Sequence, residues 1–142
     1  MTEDRKGASR AVIEEIFNKG RLELADELIA PNMIDHDPSL PEPVTGPDGI
    51  KQLVAGYRTA FPDVRITIDD QIEESDKVVT RWTARGTHKG DLWGMSATGN
   101  EVTVSGISID RFEGGQIAES WTNWDTLGMM QQLGVVPTMA ST

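Results

Sequence analysis

The stretch that decides the fold runs from EVTVSGISIDRF (101–112) through Glu113-Gly114-Gly115 into QIAESWTNWD (116–125). Both flanking segments alternate polar with apolar or β-branched side chains, which is the period of a β-strand. A Gly-Gly pair between two such segments is typical of a hairpin turn. Upstream, VRITIDDQI (64–72) and DKVVTRWTARGTHKG (76–90) have a similar composition. We therefore predict one curved antiparallel sheet over residues 64–125.

The chain before Pro62 has helical periodicity instead. Apolar residues recur at helical spacing over 8–19, 21–29 and 47–61, and a short helix is predicted over 125–134. Helices followed by an antiparallel sheet make an α+β domain. A sheet of long strands with one helical layer tends to curl, and the cavity left between the two layers is a favourable place for a small-molecule site. We predict a single domain over residues 1–142.

Composition excludes several classes of function. The chain has 142 residues, with 13 basic against 23 acidic side chains and a net charge of -10. This charge repels nucleic acid and anionic lipid, so neither is expected as a partner. The chain has no cysteine, which excludes disulfides, thiolate metal sites and a cysteine nucleophile. No apolar run approaches the ~20 residues that span a bilayer, and the N-terminus lacks a signal-peptide core, so we expect a cytoplasmic protein.

The last strand contains the polar residues that most strongly suggest chemistry. Alternation groups five residues on one face: Ile117, Glu119, Trp121, Asn123 and Asp125. Either this face is exposed to solvent and Trp124 packs inward, or the face lines an apolar cavity with a polar lip. In the second case Asp125 is the leading general base, because burial raises the pKa of a carboxyl group. The alternative is that Asp125 is an N-cap of the closing helix, and the two roles can overlap.

Two further residues are candidate catalytic groups. Arg111 lies on the same face of the sheet as Trp121 if the hairpin loop has three residues, but on the opposite face if the loop has two. The alternative role for Arg111 is an ion pair with Glu119 on the neighbouring strand. His36 lies in Asp35-His36-Asp37 and is either a pocket-facing donor or a hydrogen-bonded loop histidine. Consecutive side chains of an extended segment point in opposite directions, so we do not predict a metal site there.

Candidate substrate-binding residues are mainly aromatic. Four tryptophans lie in the second half of the chain, where they supply packing area or walls for a flat, conjugated ligand. The segment 90–95 lies in the longest connection between strands and is suited to cover a pocket mouth. The residues to which we assign substrate binding are Trp82, His88, Trp93, Trp121 and Asn123.

Short motifs in a fixed order resemble a known family. They are Asp35-His36-Asp37-Pro38, Gly46-Pro47-Asp48-Gly49-Ile50, Phe61-Pro62-Asp63, Arg81-Trp82, Gly86-Thr87-His88-Lys89-Gly90, Ser96-Ala97-Thr98-Gly99, Arg111-Phe112-Glu113-Gly114-Gly115-Gln116-Ile117, Glu119-Ser120-Trp121, Asp125-Thr126-Leu127-Gly128 and Gln132-Leu133-Gly134. Together, over about residues 8–134, they resemble the SnoaL-like polyketide cyclase, or ester cyclase, family. The resemblance implies a fold similar to nuclear transport factor two and ketosteroid isomerase: a cone-shaped antiparallel sheet, an α+β barrel, wrapped by three N-terminal helices and often dimeric through the sheet.

The resemblance also implies a reaction. Characterised cyclases of the family close the last ring of an aromatic polyketide by an intramolecular aldol condensation, with an aspartate base and no cofactor or metal. That aspartate matches Asp125 in this sequence, whereas an assisting histidine falls near Arg111, which is a departure from the family pattern. The expected ligand is a small, hydrophobic, polyketide-like ester. The alternatives are a non-catalytic small-molecule binding module on the same fold, or a related hydroxylase or hydrolase.

Overall fold

The computed structural model describes residues 4–137, and its strands form one sheet in the order β2-β1-β6-β5-β4-β3. The strands are β1 (Ile29–His36), β2 (Val44–Thr45), β3 (Arg65–Glu74), β4 (Lys77–Thr87), β5 (Glu101–Glu113) and β6 (Gln116–Trp124). The helices are α1 (Arg5–Ala11), continued by a π-helical segment (Val12–Phe17), a 3-10 turn (Leu22–Leu24), α2 (Ala25–Leu28), α3 (Gly46–Ala60) and α4 (Thr126–Gln132). No helix among the described residues is long and apolar enough to cross a membrane.

The predicted α+β fold is confirmed, with two corrections to the sheet. Strands β3 to β6 are antiparallel, as expected for residues 64–125. The sheet also contains β1, which pairs parallel to β6, so it is mixed, and its edge strands β2 and β3 leave it open.

The helix predicted over 21–29 ends at Leu28, and Ile29 is already extended. Pro31 explains this end, because proline lacks an amide hydrogen and disfavours helical backbone in the residue before it.

The inner face of the sheet packs against the helices. On β5 the alternating residues Val102 and Val104 are almost fully buried, and Val78 on β4 is fully buried. Ile16 from the π-helical segment and Val54 from α3 pack in one core cluster with Val78. Val102 and Val104 belong to a second cluster, with Phe61 and Met129. Because side chains alternate along a strand, every second residue of β4, β5 and β6 faces this layer. The side chains of the helices and of the inner face do not fill all the space between them, and a cavity remains there.

A β-bulge at Ala118 sets which face each residue of β6 occupies. Glu113 pairs directly with Gln116, so the hairpin turn contains two residues, and its glycines have φ of 57° and 82°. A two-residue turn alone would place Arg111 and Trp121 on opposite faces. The register shifts after Phe112, however, and Arg111 then pairs with Glu119 while Ala118 is unpaired. The bulge therefore returns Arg111, Glu119 and Trp121 to one face, which is the outer one.

Candidate active site

A cavity of about 170 Å³ lies between the helices and the inner face of the sheet. Its walls are mostly apolar and come from α1, the π-helical segment, α3, β1, β3 to β6 and α4. The ionisable residues that line it are Asp35, Asp37, Tyr57, Arg85 and Asp110. Around them stand the hydroxyl groups of Ser9, Thr80, Ser108, Ser120 and Thr122. An apolar pocket with a few convergent polar groups is the common form of a small-molecule site.

Asp35 is the most informative of the acidic residues. It is only 7% exposed, and its Oδ1 accepts a 3.1 Å hydrogen bond from the hydroxyl of Thr122 on the neighbouring strand. Burial raises the pKa of Asp35 to about 6, and the hydrogen bond from Thr122 only partly offsets this effect. Asp35 is therefore mostly ionised at neutral pH yet basic enough to accept a proton, which is what a general base requires.

Asp110 is the second carboxyl group on the inner face. It accepts hydrogen bonds of 2.7 Å from Ser9 of α1 at Oδ2 and of 2.7 Å from Ser120 of β6 at Oδ1. The surface that Asp110 retains opens into the cavity, because the residue lies on the inner face of a central strand under α1. Burial raises the pKa of Asp110, against the lowering effect of the two hydroxyl groups.

Asp37 and Tyr57 stand near Asp35. Asp37 accepts hydrogen bonds from the indole of Trp124 at 3.2 Å and from the hydroxyl of Ser39 at 2.6 Å, so its carboxyl group is held in place. The Tyr57 hydroxyl is buried and has no hydrogen-bond partner among the described residues. Burial and the nearby charges of Asp37 and Asp35 raise the pKa of Tyr57, which keeps the phenol protonated and able to donate.

The outer face of the sheet holds the residues that we predicted to act with Asp125. His36 Nε2 lies 2.8 Å from Glu119 Oε2, and Arg111 bonds the other oxygen of Glu119 at 3.3 Å. The bond from His36 and the Arg111 charge hold the pKa of Glu119 below its usual value. The ring of Trp121 stacks on His36 with centroids 5.8 Å apart. His36, Arg111 and Trp121 do not line the cavity, so their predicted placement in a pocket is wrong and the predicted ion pair is confirmed.

Asp125 is also outside the cavity. Its side chain is exposed, and its Oδ1 accepts a 2.9 Å hydrogen bond from the backbone amide of Gly128, the N-cap geometry of α4. The prediction that Asp125 faces a closed pocket is wrong. The other interpretation holds: the Glu119 face is the outer face, and Trp124 lies inside, where it lines the cavity. Ile117, which we predicted on the Glu119 face, is instead buried and lines the cavity, because the bulge at Ala118 separates it from Glu119. Glu119 and the residues after it keep strict alternation.

The remaining predicted binding residues divide between the cavity and other places. Trp82 lines the cavity, and its indole donates to Ser108 at 3.1 Å. Trp93 does not line the cavity, but its ring packs against those of Tyr57 and Trp124, each at 6.3 Å. His88 is fully buried against Phe61 and is not a lining residue. Asn123 is exposed and borders a shallow groove beside Pro38 and Thr126.

The sequence analysis missed the two inner carboxyl groups, although the pattern contains a signal for both. Asp110 has the same parity along β5 as Val102 and Val104, and Asp35 has the same parity along β1 as the buried Met33. A carboxyl group at a position that alternation places on the apolar face of a strand is unusual, because burial of an ionised group is costly. The missing information was which of the two faces is the buried one.

Comparison with known proteins gives the family. The model of the SnoaL-like polyketide cyclase family matches residues 8–133. The chain belongs to this family. Aklanonic acid methyl ester cyclase DnrD from Streptomyces peucetius is 29% identical over 126 residues, which cover 84% of this chain and 84% of that protein. Nogalonic acid methyl ester cyclase from Streptomyces nogalater is 29% identical over 119 residues, which cover 83% and 89%.

Solved structures agree with this assignment. IdmH from Streptomyces antibioticus superposes with a TM-score of 0.79 at 32% identity, covering 93% of this chain and 99% of that one. TsrD from Streptomyces laurentii superposes with a TM-score of 0.81 at 28% identity, covering 95% and 100%. The likeness extends over nearly the whole chain and confirms the family fold that the sequence motifs predicted.

Proposed function

We propose that the protein catalyses an intramolecular aldol-type ring closure of a neutral polyketide ester, with Asp35 as the general base. The observation that carries the proposal is a carboxyl group buried in an apolar cavity that is also lined by Tyr57, whose hydroxyl has no hydrogen-bond partner within residues 4–137. Burial raises the pKa of this carboxyl group to about 6. Two of the relatives that match this chain are named as cyclases of aklanonic acid methyl ester and nogalonic acid methyl ester, which supports an ester of this kind as the substrate.

The reaction requires only what the cavity walls supply. A carbon between two carbonyl groups is acidic enough for a single carboxylate to remove its proton, and Asp35 is the carboxylate placed to do so. The Tyr57 hydroxyl supports the developing enolate oxygen by donating the hydrogen bond that it does not make elsewhere. Apolar walls that include Trp82 and Trp124 fold the substrate so that its enolate carbon lies against its ketone. This positioning supplies much of the rate enhancement.

Conversion of aklanonic acid methyl ester tests the proposal. Ring closure gives an isomer of equal mass, so product is followed by chromatographic retention and absorption spectrum. We expect the wild-type chain to convert the ester and Asp35→Asn to be slower by about 10²-fold or more, the scale of losing a general base. Asp70→Asn, at an exposed carboxyl group on β3, is the matched control and should behave as the wild type. Binding of the ester without conversion would instead indicate the binding module.

We further propose that the protein is a homodimer that pairs through the outer face of the sheet. Ile107 on β5 is 47% exposed and Ile34 on β1 is 40% exposed, and between these strands lie Trp121 and the Arg111–Glu119 ion pair. Large apolar side chains on a sheet face are typical of an interface. Light scattering at tens of micromolar should give a dimer mass for the wild type and for Leu127→Glu on α4, and a monomer mass for Ile107→Glu. A monomeric wild type would refute the dimer.

We also propose a cytoplasmic location. A chain of 142 residues without cysteine is compatible with a reducing compartment. Fractionation of the native cells tests this: recovery of the protein outside the cytoplasmic fraction would contradict it.

A further inference from the structure

Asp110 is a buried carboxyl group that the ring closure proposed above does not use. It pairs in register with Ser120, and Ser120 pairs in register with Asp35. The three residues therefore form one row across β5, β6 and β1, and all three line the cavity. Neighbouring strands lie about 4.8 Å apart, so the Cα atoms of the two aspartates are separated by about 10 Å, with Ser120 between them.

The surroundings of Asp110 fix the position of its carboxyl group. Ser9 of α1 lies 2.7 Å from one carboxyl oxygen and Ser120 of β6 lies 2.7 Å from the other. When Asp110 is protonated, its O–H donates to one of these hydroxyl groups, which can accept as well as donate. On β4 the residue opposite Asp110 is Val78, which is fully buried. The titratable group that faces it along the row is Asp35 of β1, and ionisation of Asp110 would raise the pKa of Asp35, so the two negative charges disfavour each other.

Within residues 4–137, Asp35 and Asp110 are two of the three carboxyl groups on the cavity, with Asp37, and such neighbours do not ionise with equal ease. Burial disfavours a second negative charge, and the first carboxylate repels it, so the two groups titrate apart. Such a pair supplies a base and an acid at the same pH, which is a recurrent arrangement in sites that move two protons. An aldol ring closure requires both a base and an acid, since one carbon loses a proton and one oxygen gains a proton.

We infer that Asp110 is the general acid of the reaction, which protonates the oxygen of the attacked ketone; the inference rests on the proposed ring closure. Asp35 takes the proton from the acidic carbon, and that carbon's electron pair forms the new C–C bond. The π pair of the ketone moves to its oxygen, which receives the proton of Asp110. The product is an isomer of the substrate, Asp35 ends protonated and Asp110 ionised, and exchange with water restores both after product release.

Carbon-13 NMR of the full-length chain tests the protonation state without any substrate. The side-chain carboxyl signals of Asp35 and Asp110 are assigned by their loss in Asp35→Asn and Asp110→Asn. We expect Asp110 to be protonated and Asp35 ionised at pH 7. An ionised Asp110 at pH 7 would overturn the inference, because an ionised carboxylate has no proton to give.

Hydrogen exchange in D2O then separates the two roles. With aklanonic acid methyl ester, Asp110→Asn should still exchange the acidic C–H within a few-fold of the wild-type rate, above the uncatalysed exchange, but should close the ring at least about 10²-fold more slowly. Asp35→Asn should lose both activities. A residue that only supports the fold would change the two rates together. Ring closure by Asp110→Asn at the wild-type rate would refute the acid role, whereas retention of both activities by Asp35→Asn would refute the proposed base instead.

Discussion

The hydroxyl of Thr122 donates a 3.1 Å hydrogen bond to Asp35 and so connects the last strand of the sheet to the carboxyl group at its parallel neighbour. This bond favours the ionised form and lowers the pKa of Asp35, against the larger raising effect of burial. The pKa of about 6 is the result of these opposing effects, and each can be changed separately.

Thr122→Val removes the donor and keeps the shape of the side chain. The pKa of Asp35 should rise above about 6, since the ionised form loses its hydrogen bond. The acidic limb of the profile of kcat/KM against pH should therefore move to higher pH. Thr67→Val, at an exposed position of β3, is the control and should leave the profile unchanged. An unshifted limb in Thr122→Val would show that Asp35 does not control the rate.

Asp35→Asn should change stability in a pH-dependent way. The folded-state pKa of about 6 lies above the ordinary value of 3.8, so ionisation of Asp35 disfavours the folded state as pH rises from about 4 through 6. The penalty is complete above pH 6 and amounts to at most about 3 kcal/mol, at 1.36 kcal/mol per unit. Relative to the wild type, Asp35→Asn should gain up to that much free energy of unfolding between pH 4 and pH 8. Urea unfolding at both pH values measures the gain, and Asp70→Asn should show none.

Gly106 is the point on β5 where two cavity tryptophans approach the backbone. A Cβ added there would overlap the ring of Trp82 and lie 2.8 Å from Cβ of Trp124. Gly106→Ala should therefore lower the free energy of unfolding by about 1–3 kcal/mol, as expected for overpacking. Gly56→Ala is the matched control, because within residues 4–137 no atom beyond its chain neighbours and its own helix backbone lies within 4 Å of the added Cβ. Helix α3 should gain about 0.5–1 kcal/mol from this change. Thermal or denaturant unfolding of both variants tests the contrast, and equal shifts would contradict it.

Much of the fold follows from local patterns in the sequence. The change from helical to alternating periodicity after Pro62 predicts α3 and the four antiparallel strands to within a few residues, because turn residues and β-branched runs act locally. Strand β1 was not predictable in the same way. Its apolar residues fit helical spacing equally well, and its parallel pairing with β6 joins segments more than 80 residues apart. Such a contact leaves no local signature.

The site was harder to predict because it depends on which face of the sheet is covered. On β5, one face contains Ile107, Ile109 and Arg111, and the other face contains Val102, Val104 and Asp110. Both are apolar enough to be buried, and only the position of the helices selects the second. The bulge at Ala118 adds a one-residue shift that no periodicity reveals. Asp125, the aspartate chosen from the sequence, lies one residue beyond β6.

Asp125 should act as a cap and not as a base. Asn accepts the same hydrogen bond from Gly128, so Asp125→Asn should melt within a degree or two of the wild type. Asp125→Ala leaves that amide without a side-chain partner and should lose about 1 kcal/mol of unfolding free energy. Melting curves of the two variants give this comparison. Equal stability of the Asn and Ala variants would show that the bond to Gly128 contributes nothing to α4.

The most direct test of the central claim is the turnover of aklanonic acid methyl ester by Asp35→Asn and Asp125→Asn, measured side by side under single-turnover conditions. Each variant replaces one carboxylate by an amide of the same shape, one inside the cavity and one outside it. A cavity base at Asp35 predicts a loss of about 10²-fold or more in Asp35→Asn and a wild-type rate in Asp125→Asn. The reverse pattern, with Asp125→Asn slow and Asp35→Asn unimpaired, would contradict it.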